Sequence, residues 1–400
     1  MTDQQRFRFE YSPSVLRFST GCVDDLSSEL DTQGYDRALV VCGSTIGSTP
    51  VVIDPVTNGL GKKLAGVFPE TTPEKRLETA YDGLEAMETH DADVLVSLGG
   101  GSSLDIAKII SILAADDRDP RDVGHELAET GSISIPSDSL PPIVAVPTTL
   151  AGADLSIVAG VTASPTSGLV DSSTSGGISD PRLMPQSVFY DPKLFATTPK
   201  RVLAASAMNG FDKGLETVYA RNATPVTDAT AIRGLRLLDE GLRQLDDQTV
   251  TEEVLEPVVE GTLLVQYGIS RRGETTLSII HAFGHGLTRT YEVQQGAAHG
   301  IVAPHVLRYL FENVDGQREL LAEAFGVGDH PDTAAAIVES VEQVRDALGL
   351  PAQLRNVDSP DPSEFPEVAE TIRTDSFMAN VPRGLDPTTE EVEAVLEAAY

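Results

Sequence analysis

The residues best suited to chemistry fall in two sets. The first is Gly99-Gly100-Gly101-Ser102-Ser103-Leu104-Asp105-Ile106-Ala107-Lys108, which follows the apolar run Val94-Leu95-Val96-Ser97-Leu98. A strand feeding a glycine turn and then a helix lets main-chain N–H groups approach a pyrophosphate, and the helix N-terminus adds partial positive charge. A nucleotide or dinucleotide is the ligand such a loop suits. The run matches neither the Rossmann fingerprint nor the Walker loop, and a turn that serves folding alone is the other reading of it. The second set is His281-Ala282-Phe283-Gly284-His285, two imidazoles one helical turn apart. Spaced by four they suit a metal ion or proton transfer, although ordinary polar helix residues also take this spacing.

The elements that must position these residues change character along the chain. Short β-branched runs at 38–42, 65–68, 94–98, 143–146, 157–162 and 187–190 alternate with helical patterns, which predicts a largely parallel, helix-covered sheet. From Pro199 onward apolar residues recur every three or four positions, as at 228–245, 253–267, 275–287 and 333–348, so the second half reads as helical, with a closing helix at 388–399. Stretches 164–185 and 358–365, rich in Ser, Gly, Pro and Asp, read as loops or an irregular hairpin. The expected architecture is α/β plus all-α: a Rossmann-like nucleotide-binding domain at 1–190 and a helical catalytic domain at 191–400, with the active site in the cleft between them.

Composition narrows the partners. Sixty-one acidic residues against 29 basic ones give the 400-residue chain a formal charge of −32, a field that repels nucleic acid and anionic membranes. Lysine occurs only at 62, 63, 75, 108, 193, 200 and 213, arginine supplying the other basic residues. An acid-rich, lysine-poor surface suits a cytoplasm at molar salt, where the Debye length shrinks to about 3 Å; a salt-in halophile is the expected source. No apolar run is long enough to span a bilayer and no secretory leader is evident, so a cytoplasmic protein is expected. Cys22 and Cys42 could pair, but Cys42 ends an apolar run and reads better as a small core residue.

The run 99–108 resembles the GGGSxxDxAK signature of iron-type alcohol dehydrogenases, and Pro147-Thr148-Thr149 resembles the threonine pair with which that family holds its nicotinamide cofactor. Tyr190-Asp191-Pro192, the His281/His285 helix and Pro304 follow in family order, so the resemblance covers almost the whole chain. It implies an NAD(P)-dependent interconversion of a carbonyl and an alcohol, with Gly99, Gly100, Gly101, Ser102, Asp105, Thr148, Thr149 and Ser156 as cofactor-binding residues. Where the family often places an acidic residue for the adenosine ribose, this chain has Gly43-Ser44-Thr45. Hydroxyls and no carboxylate lean the cofactor toward NADP over NAD, although Gly43 and Ser44 could simply form a turn.

The resemblance also exposes a departure. The family binds a divalent metal through Asp-x-x-x-His-x-x-Glu and, further on, His-x-x-x-His followed ten residues later by His-Gly. Alignment on Glu216 puts Asn209 at the aspartate and Lys213 at the first histidine. A gapless count from His285 puts Gln295 at the last histidine and leaves His281 as the surviving ligand. A gapped register would put His299 there instead. A lysine at a ligand position repels a divalent cation, so no metal is expected. The resemblance is strongest to the metal-independent maleylacetate reductase branch, in the segment 147–156, Met208-Asn209, Glu216, Tyr219-Ala220 and the segment 222–226. That branch keeps histidines where Lys213 and Gln295 stand.

Lys213 is therefore expected to stabilise the developing alkoxide in place of the metal, with His285 or His281 relaying the proton. The plain alternative for Lys213 is a solvated lysine beside Asp212 or Glu216. Arg271 and Arg272 could bind a substrate carboxylate or be surface residues. A small polar or carboxylated substrate and a homodimer are further expectations. A non-catalytic nucleotide-binding paralogue and a lyase or cyclase of the dehydroquinate-synthase type remain as rivals, the latter weakened because no lysine lies between Lys108 and Lys193.

Overall fold

The computed structural model describes residues 7, 9, 10, 14–245, 250–269, 271, 274–358 and 360–400. They divide into two compact units, a sheet unit of Ser12–Thr149 and Ala153–Thr198, and a helical unit that takes residues 7, 9 and 10 and Leu150–Gly152 together with Pro199–Tyr400.

The sheet unit holds β1 (Val15–Phe18), β2 (Ala38–Gly43), β3 (Leu64–Thr71), β4 (Val94–Gly99), β5 (Ile143–Pro147), β6 (Val158–Ala163), β7 (Thr174–Ser179) and β8 (Ser187–Tyr190). Its helices are α1 (Leu26–Gln33), α2 (Pro50–Leu60), α3 (Leu77–Thr89), α4 (Gly101–Leu113) and α5 (Pro120–Thr130), with short turns of helix at Ser44–Gly47 and Pro192–Phe195. Six strands form one parallel sheet in the order β1-β8-β5-β4-β2-β3. β4 and β5 are buried along their whole length, as a sheet covered on both faces requires. On one face Val40, Val96, Val144 and Phe189 pack with Leu26 and Leu30 of α1 and Val52, Val56 and Leu60 of α2. Cys22 and Cys42 are free thiols in that core, each pushed up by burial, to about 12 and about 11.

The chain runs from β2 out to β3, then returns past β2 to β4 and continues to β5. The order of strands therefore reverses between β2 and β4, and the crevice beyond the carboxyl ends of strands at such a switch is where open α/β sheets bind ligands.

Three expectations need correcting. The segment 157–162 does not join the parallel sheet: β6 pairs antiparallel with β7 in a separate ribbon, so of the two readings of 164–185 the hairpin is the one found. β1, too short to show a pattern, was missed. The helical unit begins at Pro199 rather than at residue 191, because Asp191 accepts hydrogen bonds from Gly21 N (2.9 Å) and Lys193 N (3.1 Å) and Leu194 packs into the sheet core.

The helical unit contains α6 (Lys200–Tyr219), α7 (Pro225–Leu242), α8 (Glu252–Ile269), α9 (Ile279–Thr290), α10 (Gln295–Asn313), α11 (Arg318–Phe325), α12 (Thr333–Ala347), α13 (Phe365–Arg373) and α14 (Thr389–Ala399). The stretch expected to be helical from 275 begins only at Ile279. No described helix is long and apolar enough to cross a membrane.

Candidate active site

In the sheet unit the candidate site is made of main chain. Register pairs Val41 of β2 with Ser97 of β4 and Gly99 of β4 with Pro147 of β5, so Gly43, Gly99 and the Thr148-Thr149 pair lie at the carboxyl ends of three adjacent strands, at the switch. Gly99 has φ +135°, and a Cβ there would sit 2.9 Å from Ile46 Cδ1. Gly100 caps α4 in an extended conformation, and a Cβ there would approach the Thr149 methyl to 3.2 Å. Thr148 N donates to Gly99 O (3.0 Å), fixing the two turns against each other. Ser102 lies in the first turn of α4 and Ser44 opens the exposed turn after β2. Bare backbone at a helix start and a strand-order reversal fit a pyrophosphate.

Two of the expected cofactor residues also make bonds within the protein. The Asp105 carboxylate, 9% exposed, is paired with Lys75 Nζ at 2.7 Å. Ser156 accepts Val158 N through Oγ (3.1 Å) and Lys108 Nζ through its carbonyl (2.6 Å). Lys108 also donates to Val158 O (2.9 Å), and complete burial lowers its pKa to about 8. The signature lysine thus ties α4 to the start of β6. Lys75 was missed; nothing in its local sequence marks it.

In the helical unit the candidate site is built from side chains. Glu216 of α6 does for α9 what a capping side chain would do. Its carboxylate accepts Ser278 N (2.9 Å) and His281 N (3.0 Å), two orphan donors of the α9 N-terminus. The same group lies 2.6 Å from His281 Nδ1. Asn209 Oδ1, 3.2 Å from His281 Nε2, can only accept, so Nε2 carries the N–H and Nδ1 accepts from the carboxyl of Glu216, whose neutral acid form burial favours. His299 of α10 lies edge-on to His281, ring centroids 4.4 Å apart, with Nδ1 3.1 Å from Asp212 Oδ2. That pair is close but poorly aligned for a hydrogen bond. Gly284 makes the approach possible, since a Cβ there would fall 2.2 Å from His299 Nε2.

Asp212, Glu216, His281 and His299 are all at most 2% exposed. Burial favours the neutral form of each. It raises Asp212 well above the ordinary carboxyl range and Glu216 to about 7, and it lowers His281 well below its usual value and His299 to about 3. His299 and Lys213 add to the depression of His281, so the charge of Lys213 is felt inside this cluster. Lys213 Nζ donates to Gly152 O (2.8 Å) and lies 3.4 Å from Gln266 Oε1. It is anchored to the segment that directly follows Thr148-Thr149, so the solvated-lysine alternative does not hold.

His285 stands apart from His281. Its side chain is 31% exposed, and Nδ1 lies 3.0 Å from Asp375 Oδ2. Gln295 is the first residue of α10, one turn before His299, and makes none of these bonds among the described residues. Arg271 is 5% exposed, pairs with Glu274 (2.9 Å), donates to Asn222 O (3.0 Å) and stacks over Phe9, which makes it a structural residue and not a surface one or a carboxylate receptor. Arg272 lies outside the described residues.

The donors at the family's ligand positions do not fit a divalent ion. They are an amide (Asn209) already against His281, an ammonium (Lys213), one imidazole and a second amide (Gln295). Among the described residues no three His, Cys, Asp or Glu side chains are arranged to hold a metal. Glu216, Asp212, His299 and Asp375 were not read as site residues, although Glu216 anchored the alignment and His299 marked its competing register.

A glycine-turn nucleotide fold followed by a helical unit with buried acid–base groups defines a two-domain dehydrogenase. The profile of iron-containing alcohol dehydrogenases matches residues 13–192, and that of the C-terminal part of the Fe-containing alcohol dehydrogenase family matches residues 203–400. The chain belongs to the iron-containing alcohol dehydrogenase family and is an oxidoreductase of the alcohol dehydrogenase and reductase class. It is 26% identical to a maleylacetate reductase of Burkholderia cepacia over 98% of this chain and 97% of the relative. To a 1,3-propanediol dehydrogenase of Klebsiella pneumoniae it is 27% identical, over 98% and 99% respectively. The fold matches that of a sulfoacetaldehyde reductase from Bifidobacterium kashiwanohense, solved with NAD+, with TM-score 0.86 at 17% identity over 98% of this chain and 99% of the other.

Proposed function

We propose that this protein is an NADP-preferring carbonyl reductase, or alcohol dehydrogenase in reverse, that acts on a small polar or carboxylated substrate without a catalytic metal. The observation that carries the reading is Lys213. It occupies a ligand position of the family, on the same face of α6 as Asn209, and its charge reaches His281. A reduced nicotinamide, when bound, would supply the hydride that the carbonyl carbon accepts. As the oxygen becomes an alkoxide, the Lys213 ammonium stabilises the growing charge, the role an oxyanion donor or Lewis acid plays elsewhere. His285 completes the reaction by giving the oxygen a proton. Its partial exposure supports it over His281, whose ring nitrogens are both engaged within the protein. Gly43 and Ser44 at the end of β2, with no carboxylate, support NADP.

One observation favours a second role for Lys213: its bond to Gly152 O makes it an anchor for the loop after the threonine pair. A single set of assays separates the two. Oxidation of NADPH and NADH is followed at 340 nm across aldehydes and oxo-acids, before and after chelation, for the native protein and Lys213→Met. The expected outcome is activity indifferent to chelator and a turnover lowered by about 10²–10³-fold in the variant, with cofactor affinity and melting temperature near native. Activity restored to a chelated enzyme by Zn²⁺ or Fe²⁺ would sink the metal-free reading. A large loss of melting temperature with a mild loss of turnover would leave Lys213 an anchor only.

A further inference from the structure

We propose that Asp375 is a positioning residue for proton transfer, holding His285 in the tautomer whose Nε2 gives and takes the substrate proton. The inference rests on the reading of His285 as the relay. Asp375 caps the short turn Ser376–Asn380 by accepting Phe377 N at Oδ1 (3.0 Å), while Oδ2 lies 3.0 Å from His285 Nδ1. Both carboxylate oxygens are therefore fixed, one by the main chain and one by the imidazole. The turn is itself fastened to the strand of chain before α9, because Asn380 Nδ2 donates to Thr275 O (3.0 Å) and Leu277 O (2.8 Å). Phe377 closes over the ring, its centroid 5.0 Å from that of His285, and meets His281 edge-on at 6.1 Å. His285 is thus gripped on one edge and one face while remaining part exposed.

Charge on Asp375 decides the tautomer. Burial pushes its carboxyl up, but the bonds from His285 and Phe377 N, with Arg289 Nη2 at 3.6 Å, outweigh this and hold it below the ordinary range. Near neutrality it is a carboxylate, an acceptor only, so His285 must present N–H at Nδ1. The other titratable groups near this helix are His281 on α9, His299 on α10, and Asp212 and Glu216 on α6, all favoured neutral by burial, with Lys213 on α6 a positive charge felt at His281. Asp375 is the anion beside His285 that offsets it.

The proton balance follows. In the reductive direction the hydride bonds to the carbonyl carbon and the C=O π pair moves to oxygen. The Nε2–H bond of the imidazolium breaks, its proton forms the alcohol O–H, and the electron pair stays on Nε2. The Nδ1–H bond to Asp375 is kept throughout, and water reprotonates Nε2.

The test compares the pH profiles of kcat and the NADPH affinities of the full chain with those of Asp375→Asn, Asp375→Glu, His285→Ala and the Asp375→Asn/His285→Ala double variant. Asparagine keeps the acceptor for Phe377 N but removes the charge. Asp375→Asn is expected to lower kcat by about 10²-fold or more, as loss of a histidine-orienting carboxylate does elsewhere. It should also move the alkaline limb of reduction to lower pH. Asp375→Glu should recover part of the rate, NADPH affinity should not change, and the double variant should be no slower than His285→Ala. A severe His285→Ala with an unmoved profile in Asp375→Asn overturns the positioning role alone. A mild His285→Ala removes the relay and Asp375's role with it. If Asp375→Asn fails to fold, the profile of Asp375→Glu decides, a native limb position counting against the proposal.

Discussion

The two units build their candidate sites from different material. In the sheet unit the site is main chain, set at the ends of β2, β4 and β5 by register and by a strand-order reversal. In the helical unit it is side chains, with Asp212, Glu216, His281 and His299 enclosed between α6, α9 and α10. A main-chain site is indifferent to neighbouring side chains but intolerant of any change in backbone geometry. A side-chain site is the reverse: substitution can change its chemistry while the helices stay where they are. That contrast accounts for a chain that keeps the family's glycine turn intact and carries two amides and an ammonium at its metal-ligand positions.

The largest effect should come from breaking the main-chain site. Gly99→Val puts a branched side chain at φ +135°, against Ile46 and Ser103. Strain of about 1–3 kcal/mol falls on the turn, and the path for a phosphate closes. NADPH affinity, measured by fluorescence titration, should drop by roughly 100-fold or more, while the helical unit keeps its melting transition. Retained affinity would mean that the cofactor does not use this turn.

The same contrast explains what the sequence made legible. Gly99, Gly100 and Gly101 after an all-apolar strand announce a backbone requirement that few other residues meet, and the alternation of strands and helices made the parallel sheet readable. β7 was not, because a short, largely exposed strand of Thr, Ser and Gly has the composition of a loop, and β6, readable as a strand, gave no sign of its antiparallel partner. In the helical unit the residue types were visible but their partners were not. Glu216 meets His281 across 65 positions of sequence, and His285 meets Asp375 across 90. No periodicity encodes such pairs. Lys213 was read as the charge of the site; its bond to Gly152 depends on a loop's path and could not be read.

The side-chain site should be convertible without disturbing the other. Asn209→Asp/Lys213→His/Gln295→His restores the family's ligand set around His281. At Zn²⁺ a hundredfold above its dissociation constant the triple variant should gain roughly 2.7 kcal/mol of stability, read as a Zn²⁺-dependent rise in melting temperature that the native chain lacks. The Asn209→Asp/Lys213→His double variant sharpens the register. If it binds Zn²⁺ as tightly as the triple, His299 and not Gln295 stands at the fourth position, since His299 already lies against His281.

The smallest effect is a pH dependence confined to the helical unit. His299 is held neutral, its pKa lowered by burial to about 3, so between that value and the unfolded value near 6.5 the unfolded chain binds the extra proton. Its contribution to stability is then fully present above pH 6.5 and is lost as pH falls toward 3. Asp212, raised well above its ordinary value by burial, and Glu216, raised to about 7, act with the opposite slope above their ordinary carboxyl values, which masks the histidine in the native protein alone. The difference between native and His299→Gln isolates it. Urea melts should show the native protein's advantage growing by about 2 kcal/mol between pH 5 and pH 6.5. If the glycine turn holds the cofactor as proposed, NADPH binding should differ little between the two proteins at either pH. A constant stability difference would mean that His299 is charged or solvated in the folded state, and the enclosed cluster would lose one of its four members.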